Sequence, residues 1–261
     1  MPERKENRMW EIYDTLIDAI PPDSEVQACL CGLCWFAVRS EGLGIAMAPG
    51  EGGAGLPQAG EYAGMRTRDL AQLVKSWNFH EAALGLAAIN SAFNSPQSFK
   101  ANAGVDHRQL PDKDAFDFLI DEVRGKKVAV IGHFPRLERL RDVCELTILE
   151  RRPQPGDVPD PACEWVLPQQ DCVVSTATTL INKTLPRLLE LSRHVRFVLV
   201  GPSAPLTPKL FAFGIDTLAG LVVEDEARVW AAVQEGAQHQ LFQRGSRMVT
   251  FSCQTVTCEA E

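Results

Sequence analysis

The sequence predicts a Rossmann-like α/β domain with a mostly parallel sheet, preceded by a smaller α+β domain. The segments 128–131 and 197–200 are apolar at every position, which is typical of parallel strands that are covered on both faces. Predicted helices alternate with such strands through the second half, as in doubly wound sheets. We therefore divide the chain into residues 1–108, the α+β part, and residues 109–261, the Rossmann-like part.

The first half begins with a predicted amphipathic helix at 10–20, in which Ile12, Leu16, Ile17 and Ile20 share a face before two prolines. Apolar segments at 25–31, 34–39 and 43–48 follow, separated by turn residues, and predict a small antiparallel meander. The glycine-rich stretch 49–55 predicts a flexible loop.

Two further helices are expected in the first half. One covers 67–76, and the other begins at Asn78, where Glu81 is placed to complete a capping box. The run 82–93 is almost entirely small or apolar, which predicts a helix buried on all sides. The stretch 94–111, which contains Pro, Asn and Gly, is interpreted as the interdomain linker.

The second half predicts a short helix at 114–123 and five strands, at 127–132, 146–150, 172–176, 196–201 and 218–223. A final amphipathic helix begins at Asp225 and ends at Gly236, a residue type that commonly follows a helix C-terminus. Residues 248–251 predict an additional edge strand.

Composition narrows the class of protein. The net charge is −8, and neither half carries a basic cluster, so we expect no nucleic-acid partner. No apolar run approaches the roughly 18 residues of a membrane span, and the first residues lack a secretory signal. We therefore expect a cytoplasmic protein whose eight cysteines are thiols, and we leave homo-oligomerisation open.

Three predicted strands end in loops of small or polar residues. These ends carry Gly132 and His133, Thr176, and Gly201, Pro202 and Ser203. Because ligands of open α/β sheets bind outside the carboxyl ends of the strands, we expect these loops to line one pocket.

Hydroxyl and amide side chains are concentrated after the third of the five predicted strands. Thr176, Thr178, Thr179 and Asn182 could hold an anion or a carboxylate at the start of a helix. The alternative is that these residues only cap that helix.

His133 is the best single titratable candidate, because an imidazole can bind metal or transfer a proton near neutral pH. Glu150 and Asp171 come next, and His80 could contribute from the first domain.

Gly132 followed by Glu150 is partly similar to a dinucleotide-binding fingerprint. The residues after Gly132 are His133, Phe134 and Pro135 rather than further glycines, which disfavours a pyrophosphate. The cluster Cys29, Cys31 and Cys34 could bind a soft metal, although buried core cysteines are the simpler interpretation.

The chain resembles a known family at several stretches: 83–90, 130–135, Glu150 with Pro153, 171–182, 201–203, and Gly214 with 218–220. Their order and spacing are similar to those of the prokaryotic putative heavy-metal chelation proteins. The resemblance implies an enolase N-terminal-like domain joined to a Rossmann-like domain, with a site between them.

We therefore expect a protein that binds or chelates a metal ion, or a metal-bearing small ligand, in the interdomain cleft. The expected metal ligands are His133 and Glu150, and the cofactor class is a divalent or transition metal ion. The expected ligand-binding residues are Asn90, Gly132, His133, Glu150, Asp171, Thr176, Thr178, Thr179, Asn182, Gly201, Pro202 and Ser203. The alternative is an enzyme that uses a nucleotide or S-adenosylmethionine-like cofactor there. No recognisable catalytic signature is present, so enzymatic activity is left open.

Overall fold

The computed structural model describes residues 3–111, 115–135 and 137–256. Its helices are α1 (Glu3–Asp18), α2 (Thr67–Ala71), α3 (Phe79–Phe93), α4 (Pro96–Ala103), α5 (Ala115–Leu119), α6 (Glu138–Arg141), α7 (Cys163–Val166), α8 (Leu185–Leu191) and α9 (Glu226–Gln234). Its strands are β1 (Ala28–Cys31), β2 (Trp35–Arg39), β3 (Leu43–Met47), β4 (Lys127–Ile131), β5 (Glu145–Glu150), β6 (Val158–Pro159), β7 (Cys172–Thr176), β8 (Arg196–Val200), β9 (Thr217–Val223) and β10 (Ser246–Ser252).

The second half contains a seven-stranded sheet in the order β10-β9-β8-β7-β4-β5-β6. All neighbouring strands are parallel except β10, which pairs antiparallel with β9. Strand order reverses between β4 and β7, which is the topological switch point of a doubly wound fold. The predicted Rossmann-like, mostly parallel sheet is therefore confirmed.

The individual strand predictions agree with the structure to within one residue at each end for the five expected parallel strands. The edge strand expected at 248–251 is present and longer. The two-residue strand β6 was not predicted, because it is too short to carry a periodic signal.

The first half contains the predicted antiparallel sheet, in the order β1-β2-β3. Helix α3 covers one face of it, and every residue from Ala82 to Phe93 is buried. A Cβ atom on Gly44 of β3 would lie 2.1 Å from the backbone N of Ser91, and one on Gly85 would lie 2.2 Å from the backbone N of Val74. Glycine at these positions permits the close approach of α3 to β3 and to the turn after α2.

The two halves pack closely together. Helix α9 contacts β1 and β2, and the indole Nε1 of Trp35 donates to the carbonyl of Gln238 at 3.0 Å. The amide of Asn94 donates to Ala204 O and accepts from Leu206 N. Whether each half is a separate domain with a boundary at 108/109 stays a prediction.

The stretch 94–111, interpreted as the interdomain linker, is not irregular, because residues 96–103 form helix α4. Ser95 caps α4 by accepting from the backbone N of Ser98, Pro96 occupies the first turn, and Gly104 ends the helix with φ of 69°. The Pro and Gly that suggested a linker are therefore the start and stop signals of a helix.

Two smaller differences concern the region before α3. Asn78 caps α3 as expected, but Glu81 accepts from the Ser76 hydroxyl instead of completing a capping box. The 49–55 segment has no regular structure, as predicted, but hydrogen bonds from Phe79 N to Gly52 O and from Ala54 N to the Asn78 side chain hold it against α3.

The first position of the helix predicted at 114–123 lies outside the described residues, as does Cys258, one of the eight cysteines expected to be thiols. Within the described part, no helix has both the length and the hydropathy needed to cross a bilayer.

Candidate functional site

A large cleft lies at the carboxyl ends of β4, β7 and β8, where the strand order reverses. Its volume is about 1490 Å³. The first half also contributes to its wall, through Trp35, the segment 47–51 and Phe79. The cleft thus lies between the two sheets, at the edge where ligands bind in open α/β folds.

Ten of the twelve residues expected to bind a ligand line this cleft. They are Gly132, His133, Glu150, Thr176, Thr178, Thr179, Asn182, Gly201, Pro202 and Ser203. The fold therefore brings the three predicted loops together around one space.

Asn90 is not among the cleft-lining residues. It is fully buried on α3, and its side-chain NH₂ donates to Ile45 O at 2.8 Å and to Ser203 O at 3.0 Å. The Ser203 hydroxyl accepts from Met47 N at 2.9 Å. Asn90 and Ser203 therefore join β3 and α3 to the loop after β8.

Asp171 does not reach the cleft. It immediately precedes β7, so it lies at the amino edge of the sheet, opposite the ligand-binding edge. Its carboxylate accepts from Lys127 N at 2.8 Å, which ties the start of β4 to the start of β7. The position of Asp171 before its strand, rather than after it, already indicated this edge.

His133 lies in the cleft with its side chain 35% exposed, and its Nδ1 is 3.1 Å from Oδ2 of Asp157. Because an ionised carboxylate can only accept, this contact is a hydrogen bond when Nδ1 carries a proton, and in the neutral ring with that proton Nε2 is unprotonated. Among the described residues no hydrogen-bond partner for Nε2 is found.

Asp157 is the main residue of this site that the sequence did not reveal. Its side chain is only 1% exposed. Oδ2 also accepts from Gln154 N at 2.9 Å, while Oδ1 is buried with no partner among the described residues. The one sequence signal is its place in the loop after β5, directly after Gly156, whose φ is 96°.

Glu150 organises the two loops at this corner of the cleft. One carboxylate oxygen accepts from His133 N at 3.0 Å, and the other accepts from Arg152 N at 3.1 Å. The carboxylate thereby fixes the backbone on which the imidazole is mounted. Its role as a direct metal ligand stays a prediction.

The hydroxyl cluster is largely engaged in local hydrogen bonds. Thr176 caps the 3₁₀ turn that begins at Ala177, its Oγ1 lies 3.0 Å from Thr178 Oγ1, and Thr179 donates to Thr176 O at 2.6 Å. Asn182 Oδ1 accepts from both the backbone N and the hydroxyl of Thr184. The capping interpretation therefore accounts for much of this cluster, although its members still line the cleft.

The space above Gly132 is crowded. This glycine has φ of 99°, and a Cβ built on it would lie 3.1 Å from Cγ2 of Thr176 and 3.6 Å from the ring of Phe134. In a dinucleotide-binding fold the corresponding glycines leave room for a pyrophosphate. Here Gly132 is followed by His133, Phe134 and Pro135 rather than by further glycines, which disfavours a dinucleotide bound in the standard way.

A salt bridge joins the two walls at the cleft mouth. Arg152, in the loop after β5, donates to the Glu51 carboxylate at 2.6 Å. The hydrogen bond and the charge of Arg152 lower the pKa of Glu51 below its usual value. The two side chains are 68% and 54% exposed, so this pair contributes little to stability.

The described residues contain no group of three or more His, Cys, Asp or Glu side chains that could hold a metal ion by itself. The cysteines Cys29, Cys31 and Cys34 were expected to be buried in the core, and this prediction was wrong. Cys31 is exposed, and Cys29 and Cys34 are partly buried. Cys29 and Cys31 lie on the edge strand β1, and Cys34 lies in the turn between β1 and β2. Burial raises the pKa of Cys29 to about 12, so this residue is a thiol at neutral pH.

Two family models match the chain. The model DUF4213 matches residues 13–93 and the model DUF364 matches residues 114–252, and both carry the description "Putative heavy-metal chelation". An uncharacterised protein from Methanocaldococcus jannaschii is 28% identical over 190 residues, which is 70% of each chain.

Two crystal structures of DUF364 family proteins of unknown function are similar to this fold. One, from Desulfitobacterium hafniense, has a TM-score of 0.86 and 40% sequence identity. The other, from Pyrococcus horikoshii, has a TM-score of 0.78 and 21% identity, and this likeness concerns the fold alone. Each comparison covers 94% of this chain and 98% of the other chain.

Proposed function

Since the chain belongs to the DUF364 and DUF4213 family described as "Putative heavy-metal chelation", we propose that it binds a metal-bearing small molecule in the cleft between its two sheets. His133 is the protein's own metal ligand in this proposal. The single observation that carries it is the imidazole of His133, which lines the cleft with Nδ1 bonded to the buried carboxylate of Asp157.

The donor set fits a metal ion that arrives with ligands of its own. Metal-binding histidines commonly donate their second ring N–H to a carboxylate, which orients the ring and raises its basicity. One imidazole is too few for a structural site, which typically has four protein ligands. Since no larger donor cluster exists among the described residues, the remaining donors come from outside them, and in this proposal an organic ligand supplies them.

The shape and chemistry of the cleft support an organic ligand. Small-molecule sites are typically concave and mostly apolar, with a few polar groups that fix orientation. The apolar side chains lining this cleft include Met47, Phe79, Phe116, Phe134, Leu188 and Phe242. Thr178 and Asn182 supply polar groups that can orient the organic part.

The alternative, an enzyme with an adenosine cofactor, uses the same cleft and predicts different ligands. The lack of further glycines after Gly132 and the engagement of Glu150 by backbone N–H groups both weigh against it. A thermal-shift comparison separates the two, since a ligand that binds only the folded state raises the melting temperature. A shift with S-adenosylmethionine or adenosine nucleotides, and none with metal complexes, would favour the enzyme.

The direct test is retention of metal by the purified protein. We expect native mass spectrometry with elemental analysis to find a metal and an organic molecule on the wild-type chain, and neither on the His133→Ala variant. His194→Ala is the matched control, because His194 is not among the cleft-lining residues. Equal metal content in wild type and His133→Ala would reject His133 as the ligand.

A further inference from the structure

We propose that Asp157 is a positioning residue that holds His133 in the Nδ1–H tautomer, so that Nε2 is available to a borderline transition metal such as Zn²⁺, Ni²⁺ or Cu²⁺. This inference rests on the proposed function, which supplies the metal. It adds Asp157 as the residue that orients the imidazole, and it names the class of metal ion. Neutral imidazole suits these ions, whereas Ca²⁺ and Mg²⁺ prefer oxygen ligands.

The geometry around Asp157 orients the imidazole from two sides. Oδ2 of Asp157 lies 3.1 Å from the ring Nδ1 of His133 and accepts a hydrogen bond from the backbone N of Gln154 at 2.9 Å. The backbone N of His133 is held in turn by Glu150, at 3.0 Å. The ring is thus anchored at its backbone and at Nδ1, and Nε2 is the remaining polar atom of the side chain.

The turn contact with Gln154 N accounts for only one of the two carboxylate oxygens of Asp157. The side chain is 1% exposed, and Oδ1 is buried without a hydrogen-bond partner among the described residues. A buried, incompletely paired carboxylate costs free energy. Its contact with a partly exposed histidine in a large cleft gives a functional reason for the position, because a carboxylate bonded to Nδ1 makes Nε2 a stronger metal donor.

The first readout needs no metal. Long-range ¹H–¹⁵N spectra of the histidine rings in the metal-free protein distinguish the two neutral tautomers. We expect His133 to carry its proton on Nδ1 in the wild type. In Asp157→Asn the side-chain amide can also turn its NH₂ toward the ring, so we expect the Nε2–H form to increase. Asp171→Asn is the matched control, since its carboxylate accepts from the backbone N of Lys127 and contacts no histidine among the described residues.

The second readout is the affinity for Zn²⁺ presented as its 1:1 complex with 1,10-phenanthroline, which leaves coordination positions open for an imidazole. We expect Asp157→Asn to bind this complex about 10- to 100-fold more weakly, and Asp171→Asn to bind it as the wild type does. Calorimetric titration measures the difference.

The outcomes separate the two proposals. An Nε2–H tautomer in the wild type would overturn the role of Asp157, and this result does not depend on whether any variant folds. Unchanged tautomer and affinity in a folded Asp157→Asn would also overturn it, while the proposed function would stand. Equal binding of the zinc complex by His133→Ala and wild type would instead contradict the proposed function.

Discussion

Lys183 is an unusual residue beside the cleft. It is the one non-glycine residue with positive φ, 64°, in the described part of the chain, and it is only 6% exposed. Its ammonium donates to Ser76 O and Ile181 O, and it lies 5.9 Å from the ring of Trp77 and 5.6 Å from the ring of Phe79. Desolvation lowers the pKa of this lysine from 10.5 to about 8.

The lowered pKa of Lys183 predicts a stability that depends on pH. Between pH 8 and 10.5 the unfolded state binds more protons than the folded state, so this group makes the free energy of unfolding rise with pH. Below pH 8 the folded protein bears the full free-energy cost of burying the charged Lys183 ammonium. Removing this cost at higher pH raises the free energy of unfolding by up to about 3 kcal/mol. We expect Lys183→Met to lose this rise, as measured by urea unfolding at several pH values. An identical pH slope in the variant would show that the ammonium is not desolvated.

Some of the individual residues of the candidate site could be predicted from the sequence. His133 and Glu150 could be identified because they directly follow or end parallel strands, and topology alone brings such residues together. Asp157 could not, because it belongs to an irregular loop whose path depends on backbone conformation at Gly156. Asn90 was misplaced because a polar residue on a buried helix can satisfy backbone groups as readily as it can face a ligand.

Helix α4 is a longer element than β6 that the sequence analysis also missed. Its eight residues carry a weak apolar signal, although Phe99 and Ala103 are buried. The larger elements were predictable because continuous apolar runs mark the parallel strands and small residues mark α3. A short helix between two units is determined mainly by its capping residues, which loops also use.

The cap of α4 gives a prediction at the scale of the element. Ser95→Ala removes the acceptor for Ser98 N, so we expect the free energy of unfolding to fall by about 1 kcal/mol. Asn102→Ala, an exposed change on the same helix whose side chain donates to Ser98 O, should change it by less than about 0.5 kcal/mol. Denaturant unfolding of both variants tests whether this segment is a helix, and equal effects would contradict its cap.

The molecule as a whole has an interlocked core. One cluster of buried side chains includes residues of α1, α3, β4, β8 and β9, and a second joins β2 and β3 to β9 and α9. The Tyr13 hydroxyl donates to Leu180 O at 3.0 Å across the two halves. The sequence predicted both sheets, but it could not predict that α9 of the second half would cover the sheet of the first.

This packing predicts a single unfolding transition. Because α9 covers the antiparallel sheet, neither half can unfold without exposing apolar surface of the other. We expect urea transitions followed by tryptophan fluorescence and by far-ultraviolet circular dichroism to coincide. Two separated transitions would mean that the halves are energetically independent.

The central claim is that His133 holds a metal-bearing molecule in the cleft between the two sheets. Crystals of the protein purified from metal-replete cells, measured on both sides of the absorption edge of the metal found, test it most directly. The account predicts an anomalous peak about 2.0–2.2 Å from Nε2 of His133, next to organic density in the cleft. A peak at another residue, or a cleft ligand without contact to His133, would contradict it.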